Sequence, residues 1–415
     1  MTPRTEMTPS TLLADLQVIV GQEHARAPNG GTDFVVDGLS PRAMVRPGTY
    51  DEVAGVLRHA GENRLAVIPF GGGSMMHLGN LPSGYDIAVD LSRINSIVEY
   101  EPADLTITCQ AGITLADLQR RLAEAGQTLP LGPFSDARAT IGGILASNRI
   151  GAYVHGHGKP RDMTIGMRIA TTGGRIVRAG GRVVKNVAGY DLSKLHIGAL
   201  GTLGVIVEAT FKVAPLAAVE ARCSYRMARV EDACRMAEII QRSGLPARAI
   251  EIALHMDCDL TVDLAGSPRA VERSRAELGA MAAALGAPPA DSQRAFPAPH
   301  SAGGLVCRFS ALPERVPALM EALHGHGPRP ATVAWPTAGI VFASWEPRAG
   351  GSSLLSEIRA LTREVTTLVE RCSPDLKRDI DVFGPLPPSF PLMRAIKQQF
   401  DPNGILSPGR FVGRL

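Results

Sequence analysis

The chain has 415 residues, 45% of them hydrophobic, and its 43 basic and 40 acidic side chains leave a net charge of +3. That length can fill two cores, while so even a charge balance excludes a polyanion-binding stripe or tail. Six cysteines with no C-x-x-C spacing exclude a zinc ribbon, an iron–sulfur cluster and a disulfide framework, and read as buried thiols of a reducing compartment.

In chain order, "STLLADLQVIVG" predicts a short helical lead, and "PGTYDEVAGVLRHAGENRLAVIPFGGGS" predicts helix, turn, strand and glycine loop, with Thr49 and Glu52 at capping-box spacing. "YDIAVDL", "NSIVEY" and "LTITCQAG" read as short alternating strands, followed by a helix opened by Thr114. From Gly132 to Gly204 there are 15 glycines, roughly 21% against a usual 7% or so, an excess that needs a local cause. Beyond Pro215 the order strand, helix, strand, strand, helix predicts a separate antiparallel sheet with helices on one face. It recurs after the linker "APPADSQRAFPAPHSAGG". The start lacks an apolar h-region and no stretch approaches a membrane span, so a cytoplasmic protein is expected, one that reaches a membrane only through partners.

Two glycine stretches have the chemistry of an anion cradle. In "LAVIPFGGGS" a strand runs into Gly71, Gly72 and Gly73, whose unhindered amides can form a nest, with Ser74 adding a hydroxyl. In "ATIGGILASN" the segment Thr140 to Asn148 reads as a helix start whose free amides and dipole can face the same diphosphate. The bland reading of Gly142 and Gly143 is close helix packing. The dinucleotide G-x-G-x-x-G and the P-loop pattern are both missing.

These stretches, with "GRVVKNVAGYDLSKLHIGALGTLGVIVEATFKV" and the terminal "QQFDPNGILSPGR", resemble the vanillyl-alcohol-oxidase/p-cresol-methylhydroxylase (PCMH) type of FAD-binding flavoenzymes. Within that family they look most like the E-type FAD-binding subunits of bacterial glycolate oxidase (glycolate dehydrogenase) complexes. The resemblance covers residues 41–215 and 390–415 well; over 216–389 only the element order agrees. It implies an α+β fold with three parts. These are a PCMH-type two-part FAD-binding domain over 1–215, a ferredoxin-like α+β cap over 216–374, and a C-terminal segment 375–415 returning to the FAD domain.

Carried over by motif, Pro69, Phe70, Gly71, Gly72, Gly73 and Ser74 supply one grip on the FAD diphosphate. Pro133, Thr140, Ile141, Gly142, Gly143, Ser147 and Asn148 supply the second, and Gly201, Gly204, Val205 and Ile206 run along the adenosine and flavin. A bend against a neighbouring strand is the competing reading of Gly198, Gly201 and Gly204. The family's chemistry implies oxidation of a small 2-hydroxy acid such as glycolate, a second FAD subunit and an iron–sulfur subunit as partners, and no nucleic acid. A self-sufficient 2-hydroxy-acid or alcohol dehydrogenase and a purely structural flavin-binding subunit stay open.

Flavin chemistry needs a cation near the pyrimidine ring, worth roughly 4 kcal/mol at about 4 Å, and Lys185 and Arg161 are the candidates. A surface ion pair with Asp162 or Asp191 is their bland reading. His155 and His157 are the local candidate bases. "LHGHG" reads as a helix stop rather than a metal motif, so no metal is expected.

Overall fold

The computed structural model describes residues 7–29, 31, 33–134, 136–181, 191–291, 304–347 and 351–415. Helix α1 (Pro9–Val20) is capped by Thr8. Helix α2 (Tyr50–Asn63) starts at Thr49, whose hydroxyl accepts from the Glu52 amide. The Glu52 carboxylate accepts from the Gly48 amide rather than that of Thr49, so the expected capping box closes one residue early.

These helices cover a four-stranded sheet, β1 (Ala25–Arg26), β2 (Ala43–Val45), β3 (Val67–Phe70) and β4 (Ile87–Asp90), in the order β1-β2-β4-β3 with the last three parallel. Strand β4, expected to alternate, is buried throughout. A parallel strand is covered on both faces: Val45, Val67, Ile87 and Val89 pack under α1 and α2, while Met44, Ile68 and Ala88 pack with Phe70 and Tyr85.

A second sheet contains β5 (Ile97–Glu101), β6 (Thr106–Gln110), β8 (Thr164–Ala170), β9 (Ile176–Gly180) and β10 (Val205–Lys212), ordered β5-β6-β10-β8-β9 and antiparallel. Between them β7 (Gln127–Thr128) pairs with β11 (Ala214–Pro215). Strand β10 is central and buried over all but its last residue. Val205 and Val207 face the first sheet's core, whereas Ile206, Ala209 and Phe211 face α3 (Leu115–Ala123) and α4 (Ile141–Ser147). A register shift between Ile206 and Glu208 changes the parity along the strand, as a β-bulge does. Three short helices follow α4: α5 (Val154–His157), α6 (Pro160–Met163) and α7 (Ser193–His196).

Strands between Val219 and Arg371 form a seven-stranded antiparallel sheet. Its strands are β12 (Val219–Met227), β13 (Ala247–Leu254), β14 (Cys258–Gly266), β15 (Leu305–Ser310), β16 (Ala331–Trp335), β17 (Ile340–Trp345) and β18 (Thr366–Arg371), in the order β12-β14-β13-β16-β17-β15-β18. Ile250, Ile252, Ala334, Val341 and Ala343 share a core with α8 (Val230–Ser243), α9 (Pro268–Ala284), α10 (Val316–Gly325) and α11 (Gly351–Leu361). The alternate residues Ala249, Trp335, Ile340 and Phe342 pack on Ile150, Ala152 and Val154 of the preceding fold. The period of two thus puts helices on one face and the glycine-rich half on the other.

After α12 (Pro374–Asp379) and α13 (Phe390–Phe400) the chain returns to β3. The Val67 amide donates to the Ile405 carbonyl, and the Ser407 amide donates to that of Val67, both at 2.8 Å. Lys397 fixes this return: its Nζ donates to Asp401 Oδ2 (2.6 Å) and to the carbonyls of Thr202 (2.8 Å) and Leu406 (2.9 Å).

Candidate functional site

Strand β3 delivers Pro69 and Phe70 into the loop Gly71 to Ser74. Among the described residues the amides of Gly71, Gly72, Gly73 and Ser74 donate to nothing. This loop is pressed against the segment that leads into α4. A Cβ on Gly72 would lie 1.7 Å from the Arg138 carbonyl oxygen, and one on Gly71 would lie 2.0 Å from Thr140 Oγ1. The two glycine stretches therefore meet.

The second stretch does not present free amides, which corrects the expectation. The Ile141 amide donates to the Ile113 carbonyl (2.9 Å), that of Gly142 to Ala111 (2.8 Å), that of Gly143 to Thr140 Oγ1 (3.3 Å) and that of Ile144 to Thr140 (2.9 Å). Helix α4 sews itself to the end of β6 with the donors it was expected to offer. Gly142 is glycine because the helix comes that close: a Cβ there would stand 2.9 Å from that of Ala111.

One cavity, partly open to solvent, lies between the stretches. Pro69, Phe70, Gly71, Gly72, Gly73, Ser74, Thr140, Gly142, Gly143, Ser147, Gly201, Gly204, Val205 and Ile206 line it. Of the other nominated residues, Ile141 is fully buried in the core with α3, Pro133 lies off the wall, and Asn148 caps α4 in a left-handed conformation. Arg161 is exposed on α6. His157 is exposed at the end of α5 and lines a separate groove with Tyr153 and Arg248, while His155 is held by Thr337 (Nδ1 to Oγ1 2.8 Å). Lys185 lies outside the described residues.

The wall also contains Met75, Met76, Leu91, Ala111, Ala146, Leu200 and Arg410, which sequence reasoning did not single out. The signal for Arg410 was available, since it ends the terminal stretch "ILSPGR". Its Nη2 donates to the carbonyls of Met76 (2.7 Å) and Leu78 (2.5 Å), and its Nε is buried with no partner among the described residues. Burial pushes the guanidinium below its ordinary value, and Asp37 pulls it back. Ser407 Oγ, 3.6 Å from the position of a Gly201 Cβ, and Asn148 Oδ1 are likewise buried without a partner there.

Comparisons with known proteins point the same way. The family model for the FAD binding domain matches residues 41–180, and that for the FAD-linked oxidases, C-terminal domain, matches 387–411. Glycolate oxidase subunit GlcE of Escherichia coli (strain K12) is 31% identical over 83% of this chain and 92% of that protein. D-lactate dehydrogenase [cytochrome] 1, mitochondrial, of Saccharomyces cerevisiae is 35% identical over 51% of this chain, and the chain spans 36% of its length. The fold is that of p-cresol methylhydroxylase solved with substrate bound, with a TM-score of 0.76 at 15% identity, covering 97% of this chain and 96% of the other.

The residues present fit FAD. Four unspent amides supply donors for a diphosphate, small side chains leave room for main chain to lie against a flat ring, and orphaned polar atoms stand on or beside the wall. Among the described residues no helix is long and apolar enough to cross a membrane, and no three His, Cys, Asp or Glu side chains group as metal ligands.

Proposed function

The chain belongs to the FAD-linked oxidase family and its cofactor is FAD; on that footing we propose that it takes part in oxidising a small 2-hydroxy acid, glycolate to glyoxylate, as one FAD-holding subunit of a larger assembly. A second FAD subunit and an iron–sulfur subunit complete that assembly. The likeness to GlcE along most of both chains supports the subunit role. The scattered cysteines, all free, leave an iron–sulfur relay to another chain. The observation that carries the reading is the loop Gly71 to Ser74, whose amides are unspent among the described residues and whose residues line the cavity together with Arg410.

Bound FAD supplies the two-electron acceptor. The chain's own residues bind and orient. Gly71 to Ser74 hold the diphosphate by main-chain donors, charge-assisted contacts worth about 1.5–3 kcal/mol each. Lys397 holds the Thr202 carbonyl, and with it the turn bearing Gly201 and Gly204, against the C-terminal return. Arg410 brings a positive charge to the wall from a site that water barely reaches, since its side chain is 3% exposed.

Purified chain should release about one FAD on denaturation, and glycolate added without oxygen should bleach the flavin when the partner subunits are present. Protein that is colourless even after reconstitution with FAD would overturn the cofactor site. A full complement of FAD that no 2-hydroxy acid reduces, alone or in the assembly, would overturn the substrate class.

A further inference from the structure

Beyond the cavity a second group of side chains converges on His77, three residues after Ser74. Its Nδ1 lies 3.4 Å from Nη2 of Arg371, the last residue of β18, so the contact joins the glycine loop to the seven-stranded sheet. Burial first, and then the positive charges of Arg371, Lys377, Arg149 and Arg410, hold the imidazole down to about 3. It is neutral. Arg149, next to Asn148 at the end of α4, lies over the Phe134 ring at 4.5 Å, and its buried Nη1 has no partner among the described residues.

The neighbouring carboxylates are already engaged. Asp37 pairs with Lys377 (2.9 Å), Asp136 with Arg138 (3.1 Å) and Glu370 with Arg308 (3.1 Å). Glu6 is the sole acidic residue in the segments outside the described residues. Lys377 is therefore compensated, whereas neither Arg149 nor Arg371 makes an ion pair of its own among the described residues; Asp136 and Glu370 act on Arg149 from a distance, ahead of the opposing charge of Arg371. Like charges gathered at a half-buried site repel one another unless an anion sits among them. Two guanidinium forks beside a neutral imidazole match a single planar carboxylate.

We propose that Arg149, Arg371 and His77 form a receptor for a small carboxylate, the acid group of a 2-hydroxy acid, where α4 and the glycine loop meet β18. This rests on the substrate class proposed above. Removing either arginine leaves the other facing the anion alone, so each contributes to affinity.

The test is calorimetric titration of the FAD-loaded chain with oxalate, a carboxylate with no hydroxyl carbon to oxidise. Wild type should bind, and Arg149→Met and Arg371→Met should each weaken binding at least about tenfold, or 1.4 kcal/mol, with FAD content unchanged. Where a methionine variant does not fold, the lysine variant replaces it. It keeps the charge and loses the fork, and should bind several-fold more weakly. No binding by the FAD-loaded wild type, or wild-type affinity in the folded variants, overturns the proposal. So does loss of FAD from Arg371→Met combined with tight pyrophosphate binding by FAD-free wild type, which would assign the cations to the cofactor's phosphates. Oxalate binding lost in the variants of a chain that no 2-hydroxy acid reduces would overturn the substrate reading and leave the receptor standing. Reduction by glycolate with unchanged oxalate affinity would do the reverse.

Discussion

The two glycine stretches look alike as sequence and behave differently in the fold. Gly71 to Ser74 leave four amides undonated among the described residues, whereas Ile141 to Ile144 donate all four of theirs, two to the chain beyond β6 and two to Thr140. A glycine thus signals close approach without saying of what. In the first loop the approach is double, to the Arg138 carbonyl on one side and to the cavity on the other. In the second it is helix α4 against Ala111, with the cavity taking what remains of the surface.

Substitution at Gly72 and at Gly142 breaks this comparison most directly. Gly72→Ala puts a methyl 1.7 Å from a backbone oxygen, which moves the loop and with it the amides. Loss of two charge-assisted contacts is worth on the order of 3–6 kcal/mol, at least about a hundredfold in the Kd for FAD, readable by fluorescence titration of stripped protein. Gly142→Ala meets a side-chain methyl at 2.9 Å. It should lower unfolding stability by about 1–3 kcal/mol through overpacking while the Kd shifts much less. Equal effects of both substitutions on FAD affinity would abolish the distinction between the stretches.

The wall is also shaped from behind, at Gly204, where a Cβ would come 3.2 Å from His196 Cε1. Burial alone lowers His196 to about 4, against about 6.5 in an unfolded chain. Between those values the unfolded state holds a proton that the folded state refuses, so stability falls as pH drops from about 6.5 towards 4, by about 3 kcal/mol. His77 adds loss in the same direction from the first loop's side. Urea unfolding of His196→Gln across that range should show a flatter profile than the parent, the residual slope belonging to His77 and to His155, His157 and His324, which burial also lowers. A parent profile without slope there would mean that none of these imidazoles is held neutral.

The legible parts were those fixed by local chemistry. The cap residues Thr49, Thr114 and Thr140 start their helices as their spacing requires, and the alternation in "ATVAW" and "GIVFASW" places a strand with two buried faces of different partners. The triple glycine after an apolar strand sufficed to find the first loop. Where donors end up depends on which chain lies beside them, and nothing in "ATIGGILASN" encodes the approach of Ile113 and Ala111. The same holds for Leu91 and Leu200, ordinary core residues in sequence that reach the wall because their elements end there. Arg161 and His157 drew notice for proximity in sequence to the glycines, yet short helices turn both outward.

Thr140 gives the smallest effect and the sharpest separation. Its hydroxyl caps α4 by accepting from the Gly143 amide at 3.3 Å, and the same oxygen lies where a Gly71 Cβ would be. Thr140→Ala removes the cap, costing about 1 kcal/mol of stability, and frees the Gly143 amide beside the cavity. If the second stretch holds the cofactor only by shape, the released amide finds little to bind and the Kd for FAD changes less than about threefold, under 1 kcal/mol. If instead that stretch can grip the diphosphate once a donor is available, the variant binds FAD more tightly than the parent although it unfolds more easily. Opposite signs for stability and affinity in one variant would then assign anion binding to both stretches, with Thr140 as the residue that withholds it from the second.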